Sequence, residues 1–575
     1  MSRGLRFTSV IFFALLSPLT NAQPLRLEPS PDLLVRTTLD APAPSALGKD
    51  VTLQERVSMV QAQEGSADQL SALRAWNESG AKPPRNGFSR PLETPVRISA
   101  REQAAKAGGL PAFKLTVPGA AGLRLHARVS DLPSSVGMWV WADGQDPIFF
   151  DGSLVVSGEL WTPTVWADHI YFELQAGSSA ELTFSQVMQL FESEGVGSDD
   201  TSCFVDARCI TSTDLDVADP YRKSVASYEF ISGGKSYVCS GGLIIDEART
   251  FKPHFVTAAH CVSSQAEAAT VNAYWDYTSS SCGGVPPSKA SLPRSVGATL
   301  LAASHSTDVA LLQLSALPSG RYFMGFDTRE SSVGDGALLY RFSHPAGGSQ
   351  AFSLTKVSAS VSTCSESARP RFIYSTPLVG GATNGSSGSP VIIKGGYIVG
   401  QLEGGCGPDP SNGCDPNIKF TDGALSRSIS VLAPFLYNAT TTCTPCVSSA
   451  NTACLLGNRF KVTLPSWYDP FAKISGQGTV LRYAENREEV HPQYGPLGAT
   501  SFFSFYAHAP NSIEVTLRMF KGAAINDHYW VFMSGFTGAD YTIRVEDTQT
   551  CKVWQRSVPS GATNVVKDYE AFPFP

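Results

Sequence analysis

Twelve cysteines fall in two groups along the 575 residues, Cys203 to Cys414 and Cys443 to Cys551. In an oxidising compartment this distribution staples two separate modules with disulfides. The N-terminus points to such a compartment. Arg3 and Arg6 form a basic start, Val10 to Leu16 a short apolar core, and Thr20-Asn21-Ala22 ends on a small residue. Residues 1–22 therefore read as a signal peptide, and the protein is expected to be secreted, either extracellular or periplasmic. The apolar run is well short of the ~20 residues that span a bilayer, and no later segment is long enough, so no membrane span is expected. Cys443, Cys446 and Cys454 could suggest a zinc knuckle, but export favours disulfides, and no metal or cofactor is expected. The four cysteines of the second group allow three pairings, which spacing alone leaves open.

Hydrophobic residues make up 42% and charged residues 17% of the chain, a globular balance. A net charge of −7 gives no reason to expect a nucleic-acid partner. Glycine (50) and proline (38) favour short strands joined by turns. Residues 23–110 are rich in Pro, Ala and charge, with weak helical stretches such as 66–76, and read as a poorly ordered, propeptide-like segment. Residues 111–198 change to period two: Leu123, Leu125, Ala127 and Val129 alternate with polar residues, as do Met138, Val140 and Ala142. This predicts an N-terminal β-sandwich whose aromatics fill its core. A polar linker (195–202) leads into 203–437, again short strands and Gly-rich turns. A second seam (438–446) leads into 443–575, read as a C-terminal β-sandwich.

Three signatures in the central segment carry chemistry. FVTAAHC (255–261) delivers His260 from the end of an apolar strand, STDVALLQL (306–314) places Asp308 at the head of a buried run, and TNGSSGSPVII (383–393) sets Ser387 in a tight turn between Gly385 and Gly388. A serine hydroxyl is a poor nucleophile and needs an adjacent base. His260 can take its proton and return it to the leaving amine, while Asp308 fixes the imidazole tautomer. The backbone N–H groups of Gly385 and Ser387 can converge on a developing oxyanion. Each signature alone is weak. Their joint order, wide separation and strand contexts point to a triad of His260, Asp308 and Ser387. Asp276, in AYWDY, is a rival acid with a spacing from His260 that is short for the role, and His305 and His344 read as structural or surface residues.

At these residues the chain resembles the chymotrypsin-like serine peptidases, and within them the bacterial lysyl-endopeptidase branch. SCFVDARC (202–209), YVCSGGL (237–243), VNAYWDYTSSSC (271–282) and VGQLEGG (399–405) carry the closer likeness, over roughly 203–430. The resemblance implies an all-β fold with two six-stranded barrels and the triad at their interface. It implies disulfides Cys239–Cys261 and Cys209–Cys282, with Cys203 reaching Cys406 or Cys414 and Cys364 taking the one that remains. LWTPTVWAD resembles the N-terminal β-modules of secreted bacterial trypsin-like proteins. CLLGNRFKVTL, YWVFMSGF and YTIRVEDTQT resemble a β-sandwich appended to exported bacterial proteins.

The chain departs from that pattern at two places. Ser386 stands where chymotrypsin-like zymogens carry the Asp that pairs with a freed N-terminus, so residues 23 to about 200 are expected to act as a propeptide instead. Gly381 occupies the position of trypsin's pocket Asp. Asp422, Asp415 and Asp409 remain open as pocket acids. Glu403 stands where the branch has a His, and can attract a basic side chain beside Gly404 or be a solvated rim charge. The expected function is a secreted serine endopeptidase working through an acyl-enzyme on protein or peptide substrates, with a basic P1 preference. The alternative is a secreted adhesin-like binding protein with a vestigial peptidase, its C-terminal module holding an unknown surface or partner. An esterase fits poorly, because in its GxSxG elbow fold the His comes last.

Overall fold

The computed structural model describes residues 26–27, 58–62, 67–99, 112–175, 179–191, 203–247, 249–364, 367–408, 412–437, 446, 452–456 and most of 459–573. The signal-peptide reading of 1–22, the linker 195–202 and Asp409 lie outside them. No described helix is long and apolar enough to cross a membrane. The chain forms two compact units, Pro24–Thr442 and, separately, Cys443–Pro575.

Within the segment expected to be poorly ordered, 23–110, residues 58–62 and 67–99 are built into regular structure. Helix α1 (Ala67–Glu78) packs Leu73 against Phe88. Strand β1 (Arg85–Ser99) lies between two partners, with Leu190 opposite Gly87 on one edge and Lys235 opposite Phe88 on the other. Pro91, Pro95 and four charged side chains interrupt its alternation. Even so, Phe88, Leu92 and Ile98 are buried, and that burial orders the segment. With β2 (Gly122–Asp131), β3 (Glu181–Leu190) and Glu159–Trp161, β1 makes one layer of a sandwich. The facing layer runs in the order Ser58–Gln61, Ala112–Thr116, His169–Leu174, Gly137–Trp141 and Ile148–Asp151. Between them lie Phe113, Leu123, Leu125, Ala127, Met138, Val140, Phe172 and Phe184, all fully buried. The alternating positions of 123–127 and 138–142 thus face this core, as their period of two requires. The sandwich draws two strands from upstream of the expected start at 111.

Two barrels follow. The first takes β4 (Val225–Ser232), β5 (Lys235–Leu243), β6 (His254–Ala258), β7 (Asn272–Tyr274), β8 (Ala298–Ser304) and β9 (Val309–Leu314). Pairing runs β7–β4–β5–β6–β9–β8, and Arg294–Val296, joined to β8 through Gly297, pairs back onto β7. The second takes β10 (Leu338–Ser343), β11 (Ala351–Val357), β12 (Phe372–Val379), β13 (Pro390–Ile393), β14 (Tyr397–Cys406) and β15 (Lys419–Ala424). Its ring β14–β13–β10–β11–β12–β15 is closed by β14–β15 pairing, which removes free edges. Helix α2 (Leu425–Leu436) lays Leu425, Ile429, Leu432 and Leu436 at helical spacing onto a core that includes Val256 and Leu311 of the first barrel and Phe342 and Ile392 of the second. The double barrel is the fold expected for 203–437. Its disulfides are Cys239–Cys261, Cys209–Cys282, Cys203–Cys414 and Cys364–Cys406.

Because β1 pairs with β5, the sandwich and first barrel share one sheet. The fully buried Glu229 of β4 accepts from Asn86 Nδ2 (3.1 Å) and Thr164 Oγ1 (3.0 Å) of the leading module and from Tyr274 OH (3.1 Å) of the barrel. Arg124, also buried, donates to Thr162 O and Thr270 O, each at 2.7 Å. Buried polar groups need partners, so each side of this junction satisfies the other.

The second unit has two five-stranded sheets, one built on Phe460–Asp469 and Asp540–Asp547, the other on Val515–Lys521 and His528–Gly535. Val462, Leu517, Val531, Ile543 and Val545 fill the space between. Cys446 pairs with Cys454, so neither is a zinc ligand.

Candidate active site

β6 and β9 pair with Ala258 opposite Val309, so the residues just beyond this last pair, His260 and Asp308, emerge side by side. Ala259 N–H donates to Asp308 O (3.0 Å). The Asp308 carboxylate accepts from His260 twice, from the backbone N–H at 2.8 Å and from Nδ1 at 2.7 Å. Asp308 has φ +52°, a left-handed conformation that costs a non-glycine residue of order 1 kcal/mol or more. Gln401 Nε2 holds it there, donating to Thr307 O (3.0 Å) and Asp308 O (2.9 Å). Asp308 is buried, and His260 keeps 19% of its side chain exposed.

Ser387 sits in the turn before β13. Its carbonyl accepts from Ser240 N (2.8 Å), and Ser240 Oγ donates to Gly385 O (2.8 Å), so β5 of the first barrel grips a turn of the second. Gly388 N–H donates to Leu402 O (2.8 Å). Gly385 and Gly388 have φ of +92° and +79°, and a Cβ on Gly388 would lie 2.1 Å from Thr257 Oγ1, so only glycine fits there. Among the described residues, the N–H groups of Gly385 and Ser387 have no protein acceptor, and His260 Nε2 is buried without a partner. The structure thus pairs His260 with Asp308 on the first barrel, and Ser240 of that barrel holds the turn of Gly385 and Ser387 on the second. It sends Asp276 elsewhere, into an ion pair with Arg321.

Ser386 is fully buried and accepts from Ser343 Oγ (3.0 Å), so a neutral contact fills the position where zymogens carry an acid. His344 is fully buried, stacked on Tyr277, with Nδ1 against Gly348 O (2.9 Å). Burial, helped by Lys289, pushes its pKa down to about 4, and the bond to Gly348 offsets only part of this.

The proposed substrate residues divide. Glu403 Oε2 accepts from Thr421 Oγ1 (2.6 Å) and Ser367 Oγ (3.3 Å). Its Oε1 meets Lys82 Nζ, which also donates to Glu403 O (2.9 Å). Burial works to raise the Glu403 carboxyl, but Lys82, the Thr421 hydroxyl and the charge of His260 together hold it below the ordinary carboxylate value. Gly404 lies under the Lys82 side chain. Asp422 has no exposed surface, and its Oδ1 accepts from the buried Arg341 (2.5 Å). Asp415 closes a turn, accepting from Asn417 N (2.8 Å).

Sequence reasoning missed Gln401, Ser240 and Lys82. A glutamine inside the apolar VGQL run was a usable signal, since buried polar groups must be paired. Lys82 stands 321 positions before Glu403, and nothing local in AKPPRN announces the contact. Cys239, His260 and Cys261 cluster closely enough to resemble a metal site, but both sulfurs are consumed in their disulfide.

Residues 198–415 match the family model described as lysyl endopeptidase, C-terminal domain. A lysyl endopeptidase of Pseudomonas aeruginosa is 29% identical over 325 residues, covering 52% of this chain and 68% of that relative. Among solved structures, the active form of the Rv3671c protease from M. tuberculosis aligns at 18% identity and TM-score 0.27, covering 40% of this chain and 88% of that one. A serine endoprotease from Yersinia pestis aligns at 16% identity and TM-score 0.27, covering 39% and 66% respectively.

Proposed function

From the premise that this chain is a serine endopeptidase whose residues 198–415 match the lysyl endopeptidase model, we propose that it is exported and cuts proteins through an acyl-enzyme on Ser387. The observation that carries the mechanism is the paired hold of Asp308 on His260, through N–H and Nδ1 at once. This leaves Nε2 as the proton acceptor for Ser387 Oγ. In the first step Oγ bonds to the scissile carbonyl carbon, its proton passing to Nε2. The N–H groups of Gly385 and Ser387 receive the oxyanion. Collapse breaks the C–N bond, and His260 protonates the departing amine. A water molecule, deprotonated by His260, then releases the acid and restores Ser387.

Glu403 supports a preference for basic side chains. It is a half-buried carboxylate fixed by two hydroxyls, next to Leu402, whose carbonyl holds the turn of Ser387. The five described disulfides support folding in an oxidising compartment and so export. Residues 23 to about 200 are proposed as a propeptide, their sheet and buried polar junction supporting a role in folding the barrels. The test is digestion of a mixed peptide library by the purified protein and by Ser387→Ala, read by mass spectrometry. Once the leading module is removed, the wild type is expected to cut after lysine or arginine, and the variant to lose about six orders of magnitude in rate. Equal, negligible activity of both, even after trimming to about residue 200, would favour the binding-protein alternative.

A further inference from the structure

The Lys82–Glu403 contact has the form of a ligand in a site. Pro83 and Pro84 are buried, while Lys82, the residue before them, stands out from the leading module. The segment behind it is fixed. Trp76 Nε1 donates to Pro83 O (3.0 Å), Val238 N to Pro84 O (3.1 Å), and Asn77 clasps Arg85 through both N (2.8 Å) and O (2.9 Å). The lysine therefore starts from a rigid base and loses little chain freedom in reaching Glu403. At its tip the ammonium meets two different acceptors, the Glu403 carboxylate and the Glu403 carbonyl. Its methylenes run over Gly404, where any Cβ would fall 2.5 Å from Nζ. A carboxylate held by Thr421 and Ser367, a convergent carbonyl and a glycine floor make a recognition site for a primary ammonium.

That site adjoins the proposed catalytic turn. Leu402, the neighbour of Glu403, bonds through its carbonyl to Gly388, the neighbour of Ser387. The peptide bond that follows Lys82 leads to a proline whose nitrogen carries no N–H and whose ring is buried, so the resident lysine is poorly presented for cutting.

Building on the basic preference proposed above, we propose that Lys82 is a built-in occupant of the Glu403 subsite, keeping substrates with basic side chains out while the leading module remains in place. The module then blocks the site by supplying the group the site is made to bind, and the zymogen switch that Ser386 lacks is replaced by this contact.

The test uses the full-length chain carrying Ser387→Ala, which prevents self-cleavage, and p-aminobenzamidine as a fluorescent cationic probe. Adding Lys82→Gln is expected to tighten probe binding at least tenfold, Lys82→Met to act alike, and Lys82→Arg, which keeps the charge, to leave binding weak. Equal affinity across all four proteins overturns the proposal. So does a failure of the Gln and Met variants to bind while their thermal melting matches the parent, because Glu403 is then no cation subsite. The library digestion decides the peptidase reading by itself, so either result leaves that reading standing or falling on its own.

Discussion

His344 is a histidine that the fold keeps neutral. It is fully buried against Tyr277, with a pKa pushed from 6.5 to about 4. As pH falls through this window the unfolded chain takes the proton first, so the folded state loses ground from pH 6.5 downwards until His344 itself protonates near 4. The loss should be on the order of 3 kcal/mol across that span. Urea unfolding of the wild type and His344→Gln at pH 4.5 and 7 should show the wild type losing more stability on acidification; parallel behaviour would sink the account. The residue scale is also where the sequence spoke most clearly. His260, Asp308 and Ser387 each lie at a strand end or turn with its own local signature, and strand register alone brings the first two together. The supports of that site were less visible. Gln401, Ser240 and Lys82 act on residues far along the chain, and only the closed barrels and the shared sheet make them neighbours.

Among the elements, strand β1 (Arg85–Ser99) was the one the sequence hid. Its prolines and charges mimic a solvated linker, yet its buried positions cluster at both ends, where it meets β3 and β5. Strands with clean alternation, such as β2, were plain from their pattern, and the apolar head of β9 likewise announced itself. The loop from β5 to His260 shows what fixes the site's outer elements. Cys239–Cys261 ties β5 to the residue after His260 across a separation of 22. Closing a loop of that size is worth about 3 kcal/mol. The double variant Cys239→Ala/Cys261→Ala should lower stability by that order in thermal melting. It should also reduce kcat more than it raises KM, because His260 loses its neighbouring tether while Glu403 does not.

At the scale of the molecule, the two compact units make separate demands. Protein ending at 442 should keep the melting transition of Pro24–Thr442 and, once the leading module is digested, cut peptides as well as the full chain brought to the same state, since that unit contains both barrels and the leading module. Protein beginning at 203 should refold from denaturant several-fold less efficiently, because Glu229 loses Asn86 and Thr164 and β5 loses a partner strand. Equal refolding yields would remove the leading module's role in folding. That module shares one sheet with the first barrel, which bears on timing as well as strength. A cut in 195–202 severs the chain but breaks none of the β1–β5 hydrogen bonds, so the separated piece stays seated and Lys82 stays on Glu403. Latency would thus outlast the cut and end only when the leader itself is digested, so the first molecules freed would release the rest and activity would rise after a lag that shortens with concentration.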